Sequence, residues 1–188
     1  MIHPIRKFIT PEEYLAREAK SEFRSEYRNG EIVALAGGSL NHNRIARNAS
    51  QAFDRALAKK QCEVFVHDVR VHMPKDNQFA YPDVMVVCGK IEFATGRDDT
   101  VKNPTLIIEV LSDSTQAYDR GEKFSLYRRI PSLQHYVMID QTRAYVEHYR
   151  RENRFWVFEA LEGMNVILQI KSLGCKVSLK TLYAKVKW

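Results

Sequence analysis

Long hydrophobic runs are missing from this 188-residue chain. Its longest apolar stretches, such as Leu106–Ile108 and Val84–Cys88, are strand-sized and far short of the roughly 20 residues that a membrane span requires. Cysteine is scarce: Cys62, Cys88 and Cys175 are odd in number and far apart. That spacing gives neither a metal-ligand pattern nor a disulfide framework, and buried free thiols are expected. No internal repeat, low-complexity segment, linker, cysteine-rich finger or separate helix-turn-helix is present. The stretch from Met1 to Thr10 has no apolar core and no small-residue cleavage site, so it does not read as a signal peptide, and a cytoplasmic location is expected.

What remains is an ordinary globular composition, 45% hydrophobic and 28% charged, in a length that fits one domain over 1–188. The net charge is +6, which favours a polyanionic partner through sequence-independent attraction to phosphates. Its lysines and arginines are spread along the chain, so charge alone names no site.

Thr10-Pro11-Glu12-Glu13 has the order of an N-cap, a first-turn proline and a capping-box acid, and predicts a short helix to about Lys20. Ser25–Tyr27 and Glu31–Ala36 flank Asn29-Gly30, a two-residue hairpin signal. The apolar residues Ile45, Ala49, Ala52, Phe53, Ala56 and Leu57 recur at helical spacing and predict a helix over 44–59 capped by Asn41 or Asn43. Alternation predicts a strand over 62–73, with a bulge where its phase shifts, and a second over 79–88. Lys90 to Asn103 reads as loop, Thr105 to Leu111 as a strongly apolar strand, and the segment from Ser112 to Arg129 as a helix ended by Pro131. A strand over 134–139 precedes a hairpin of 143–150 with 154–161, and the remainder is a strand or two and a short helix. This order predicts an α/β fold with a central mixed β-sheet flanked by helices and with N-terminal and C-terminal β-hairpins.

Two acids stand out by context. Asp83 follows Pro82 at the start of an apolar strand, and Glu109 interrupts Leu106-Ile107-Ile108-Glu109-Val110-Leu111. A carboxylate buried in such a strand costs several kcal/mol unless it has a partner, such as a metal, a base or an open cleft. If the two strands are neighbours, both carboxylates serve one site, and two hard oxygen ligands suit Mg2+, which keeps waters and takes phosphate oxygens. Lys123 lies four residues after Asp119. That spacing makes either an exposed ion pair or, on an inward face, an amine beside the acids.

Tyr81-Pro82-Asp83-Val84, Pro104 to Thr115 with Glu109-Val110-Leu111-Ser112, Asp119 with Lys123 and Tyr127, and Tyr136 to Asp140 together resemble the Uma-type endonucleases of the PD-(D/E)XK superfamily. Gly30-Glu31 and His42 before a helix are similar to that family's N-terminal pattern, and the resemblance runs from about Glu26 to Asp140. It implies a restriction-endonuclease-like fold, Mg2+ (or Mn2+) dependence and phosphodiester hydrolysis. It also implies that Asp83 and Glu109 are metal ligands, with the Val110 carbonyl as a third. The superfamily's usual lysine would stand at 111, which is Leu111 here; the resemblance moves that role to Lys123. Glu31, as an added ligand or water-orienting acid, and His42, as a phosphate contact or proton carrier, complete the catalytic candidates Asp83, Glu109, Lys123, Glu31 and His42. His3, His67, His72, His135 and His148 read as structural. The expected partners are nucleic acid, DNA in the first instance, and a second copy of the chain through Tyr145, Tyr149, Phe155 and Trp156. The alternatives are a nuclease-fold binding protein without turnover, which Leu111 permits, and an interaction subunit.

Overall fold

The computed structural model describes residues 8–35 and 37–188; His3 and the Ala36 end of the predicted second strand lie outside them. Its centre is a six-stranded mixed sheet in the order β11-β10-β9-β8-β6-β3, built from β3 (Cys62–Val66), β6 (Val84–Cys88), β8 (Leu106–Leu111), β9 (His135–Asp140), β10 (Tyr145–Glu152) and β11 (Phe155–Glu162). Within this sheet, among the described residues, only β8 and β9 pair in parallel, from Leu106 opposite His135 to Leu111 opposite Asp140. Every residue of β8 is buried, because both faces of the sheet are covered.

Helix α2 (Leu40–Leu57) covers one face. Its Ile45, Ala49, Phe53 and Leu57 pack on Val84, Ile108, Val110 and Val137. Ser39 caps it, with the Ser39 hydroxyl accepting from the His42 N–H at 3.0 Å. The predicted caps were Asn41 and Asn43; Asn41 instead donates to the Lys187 carbonyl at 2.7 Å. The opposite face meets a second sheet, ordered β2-β1-β5-β4-β7, of β1 (Ser25–Arg28), β2 (Glu31–Ala34), β4 (Arg70–Met73), β5 (Gln78–Ala80) and β7 (Thr100–Val101). Met85, Ile107, Leu111 and Met138 of the central sheet pack there against Val71 and Met73. Tyr14 of α1 (Pro11–Glu18), Tyr27 and Phe79 form a smaller cluster under the second sheet. At the C-terminus β12 (Ile167–Ile170), β13 (Cys175–Ser178) and α5 (Leu179–Leu182) close the α2 side.

Each of two predicted strands proves to be a pair of strands in different sheets. The run 62–73 breaks at His67, which adopts a left-handed φ of 48°. The run 79–88 breaks at Tyr81-Pro82-Asp83, where a proline cannot donate to a continuing ladder. At these two breaks the chain crosses between the sheets, and both crossings border one cavity. The cysteines also depart from expectation. Cys62 stands directly opposite Cys88 in the β3–β6 register, with Cα atoms 4.0 Å apart, and the two form a disulfide; Cys175 is the buried free thiol. Residues 26 apart in sequence became neighbours through strand pairing, which spacing alone does not reveal.

The third helix is not regular. Residues Gln116–Tyr118 (α3) and Phe124–Tyr127 (α4) are joined by a π-helical turn, Asp119–Lys123. Such single turns carry one extra residue and recur at functional sites.

His135 and His148 are buried under the β9–β10 pair, with His135 Nδ1 3.0 Å from His148 Nε2 and His135 Nε2 2.6 Å from the Ser172 hydroxyl. Burial, joined for each by neighbouring positive charge, lowers both to about 4. Folding therefore favours the neutral rings. That stability is complete above the unfolded value near 6.5 and is lost as pH falls towards 4, by up to about 1.4 kcal/mol per pH unit for each ring. The melting temperature is expected to drop steadily between pH 6.5 and 4.5, and the double variant His135→Gln/His148→Gln to show a shallower fall. Equal slopes in a melting series would exclude this account.

Candidate active site

Asp83 sits at the second crossing, one residue before β6. Its Oδ2 accepts the Val110 backbone N–H at 2.7 Å, which fixes the carboxylate against the residue that follows Glu109. His42 Nε2, from the first turn of α2, lies 3.3 Å from the same oxygen, and His67 Nδ1 lies 3.8 Å from Oδ1. His67 is thus a neighbour of the site rather than a structural strand residue. Its break from β3 turns the ring towards Asp83.

Glu109 shares the inward face of β8 with Ile107 and Leu111, by the alternation of a strand. Leu111 fills the apolar core on that side, so the position two residues after Glu109 serves packing. The amine arrives instead from the π-helical turn. Lys123 Nζ lies 2.9 Å from Glu109 Oε1, 3.2 Å from Glu26 Oε1 and 3.6 Å from Asp119 Oδ1. The Tyr127 hydroxyl, one turn on, donates to the same Glu109 oxygen at 3.1 Å.

Three carboxyl groups therefore surround one buried ammonium, with Asp83 on the wall of the same cavity, and the acids outnumber their cations. Burial, with Asp83 and Asp119 nearby, raises Glu109 well above the usual carboxylate range although Lys123 opposes the shift. Burial also raises Asp119. Asp83 and Glu26 go the other way. Burial works against their charge, but His42 and the Val110 N–H hold Asp83 ionised, and Lys123 and Arg28 hold Glu26 ionised. Burial likewise penalises the charge of Lys123, but Glu109, Glu26 and Asp119 outweigh it and push its value well up. Asp83 and Glu109 line the same cavity, Asp83 beside His42 and Glu109 beside Lys123. Among the described residues no group of three His, Cys, Asp or Glu side chains forms a ready-made metal cage, so any ion there would rely on water and backbone oxygen as well.

The site opens into a cavity of about 600 Å³ lined by Asp83, Glu109, Val110, His42, Lys123 and Glu26, among others. Four of the five catalytic candidates are on its wall. Glu31 is not: it is exposed, directly opposite Arg28 beside the hairpin turn. The hairpin contributes Glu26 instead, which is only 1% exposed and was missed because Ser25-Glu26-Tyr27-Arg28 reads as a surface hairpin strand. No local signal marked it: with Tyr27 packed in the core, strict alternation would expose Glu26, and only cover on both faces buries the two together. The aromatics expected at a dimer contact divide. Tyr149 and Trp156 pack against Phe124, tilted and edge-on, at ring separations of 4.4 and 5.4 Å, whereas Phe155 is exposed.

The fold matches that of a crystal structure from Anabaena variabilis described as a "putative nuclease belonging to DUF820", with a TM-score of 0.78 and 18% identity, covering 95% of this chain and 99% of that one. Two proteins of Synechocystis sp., both described as uncharacterized, are similar along nearly their whole length. One is 39% identical over 170 residues, 90% of this chain and 96% of its own. The other is 33% identical over 176 residues, 93% and 91%. The acids, Lys123 and the surrounding sheets thus sit in a chain that matches the Uma2 model, described as "Putative restriction endonuclease", over residues 11–180, and that belongs to this family.

Proposed function

We propose that the chain is a metal-dependent endonuclease that hydrolyses phosphodiester bonds of DNA. The observation that supports this most is the meeting of Asp83, Glu109 and Lys123 on the wall of one open cavity. Two carboxylates on the wall of one cavity, with the Val110 carbonyl, suit Mg2+ or Mn2+, which retain water. Bound there, the ion would polarise the phosphate and make water a better nucleophile.

The protein groups divide the remaining work. Val110 N–H and His42 hold the Asp83 carboxylate in place, and Tyr127 holds Glu109. The Lys123 ammonium, steadied from behind by Glu26 and Asp119, stands ready to stabilise negative charge that grows on the phosphate as one bridging P–O bond breaks. His42 can pass a proton between solvent and the cavity. The same reading has two copies acting together, with the exposed Phe155 and Phe158 on the outer strand β11 as the surface available for contact.

Mg2+ or Mn2+ is expected to stabilise the folded protein by about 2–3 kcal/mol at a hundredfold excess over its dissociation constant. The same ions should start cleavage of labelled DNA that EDTA stops. A melting temperature indifferent to both ions, together with intact DNA, would remove the proposal. Binding of DNA without cleavage would leave a nuclease-fold binding protein.

A further inference from the structure

We infer that two copies of this chain join edge to edge through β11, antiparallel about a twofold axis at Phe158, so that their six-stranded sheets become one. This specifies the two-copy part of the reading above and stands without its nuclease chemistry. β11 ends its sheet and, among the described residues, pairs only with β10. Its residues run opposite Tyr145–Glu152 in unbroken register, without a bulge. The alternation of an antiparallel ladder decides which backbone groups are left over. The Gly163 N–H donates to the Ala144 carbonyl at 2.9 Å, towards β10, and the Arg151 N–H donates away from β11, to the Gln134 carbonyl at 2.8 Å. Both bonds fix the same parity. Phe155, Val157, Glu159 and Leu161 turn their N–H and C=O to β10, while those of Trp156, Phe158, Ala160 and Glu162 point outward. Sheet edges are ordinarily blunted by lysine, proline, bulges or shortness. Phe155–Glu162 has no lysine and no proline, and it leaves Phe155 61% and Phe158 50% exposed.

A second copy of the same strand fits this edge best in one register. Hydrogen bonds across the axis require outward residues to face outward residues. An axis at Glu159 sets two like carboxylates directly opposite each other, which is destabilising. An axis at Val157 or Ala160 shortens the overlap. An axis at Phe158 sets that residue against its own copy, Trp156 against Ala160, Val157 against Glu159 and Phe155 against Leu161. It also brings Arg154 of each copy beside Glu162 of the other. No like charges then face each other, and an ion pair closes each end. Glu162 is 69% exposed beside Arg143, so a second guanidinium can reach it. Phe158 already packs on Tyr149 at a ring separation of 5.0 Å, and its copy extends that aromatic row across the axis. The exposed rings and the unpaired backbone lie on one strand, and one partner satisfies both.

Sedimentation velocity and NMR amide exchange over a wide range of protein concentration test this. A dimer is expected. The amides of Trp156, Phe158 and Ala160 should exchange more slowly as the dimer forms, whereas those of Val157 and Glu159 stay equally protected throughout. Ala160→Pro removes an outward N–H and no bond to β10, which an edge strand tolerates. It should raise the dimer dissociation constant at least about tenfold, since the twofold axis removes the bond twice, and leave far-ultraviolet circular dichroism unchanged. Arg154→Glu should weaken the dimer about threefold, and Arg154→Glu/Glu162→Arg should restore it. Should Ala160→Pro fail to fold, Phe158→Lys, which sets two like charges at the axis from an exposed position, should weaken the dimer in its place. A monomer at every concentration, a dimer that neither Ala160→Pro nor Phe158→Lys weakens, or outward amides whose exchange ignores concentration would overturn the inference. None of these readouts needs catalysis. A dimer that cuts no DNA leaves the inference standing while the nuclease reading fails, and a monomer that cuts DNA does the reverse.

Discussion

The variant Asp83→Asn is expected to fold as the parent does and to cut DNA at least about a thousandfold more slowly, a loss of roughly 4 kcal/mol of transition-state stabilisation. Asparagine keeps the size of the side chain and an oxygen for the Val110 N–H, so the bond at 2.7 Å survives. It loses the negative charge that a cation and His42 both need. Because Asp83 also helps to push Glu109 up, the variant's Glu109 should ionise at lower pH. His42, whose value is raised by Asp83 despite burial, should lose its proton at lower pH than in the parent. Single-turnover cleavage with Mn2+, far-ultraviolet circular dichroism and NMR titration of His42 read the three effects separately. Cleavage within tenfold of the parent would mean that the reaction does not run through Asp83.

The second large effect concerns stability. Lys123→Met is expected to destabilise the protein at pH 7.5 by about 3–5 kcal/mol, the usual result of leaving buried charge without its partner. The lysine is almost wholly buried, and Glu109, Glu26 and Asp119 all lie within 3.6 Å of its Nζ. Without it these acids favour their protonated forms in the folded state more strongly than in the unfolded chain. Their penalty is full at high pH and relieved as pH falls, so the gap between variant and parent should narrow between pH 7.5 and 5.5. Urea denaturation at both pH values measures that gap. Should the variant fail to fold at all, Glu109→Gln/Lys123→Met, which removes one acid together with the ammonium, should recover part of the loss. A gap that widens on acidification would show that Lys123 does not hold the carboxylates together.

Parts of this site were legible in the sequence for definite reasons. Glu109 announced itself because a charged residue interrupts an otherwise apolar strand, and Asp83 because it follows a proline at a strand's start. The capping box of α1 was legible because it is purely local, and Thr10 and Glu13 do bond reciprocally. What stayed hidden depended on contacts between distant segments. Val66-His67-Asp68-Val69 contains neither glycine nor proline; the alternation shifts phase there and reads as a bulge, and nothing local distinguished a bulge from the break that delivers His67 to Asp83. The burial of Glu26 follows from a second sheet whose strands come from across the first half of the chain. Cys62 and Cys88 face each other only once the register of β3 and β6 is known.

The irregular turn over Asp119–Lys123 makes the length of this segment matter as well as its composition. Successive residues of a helix are about 100° apart in azimuth, so the surplus residue lets one short segment satisfy two masters. Upstream it aims Asp119 and Lys123 at the acids; downstream it keeps Leu126 and Tyr127 seated in the interior. Losing a single codon anywhere between Ala117 and Phe124 would restore a regular spiral and swing one half away from its target. Exchanging one residue for another need not: a methyl group added at Gly121 meets nothing within 4 Å.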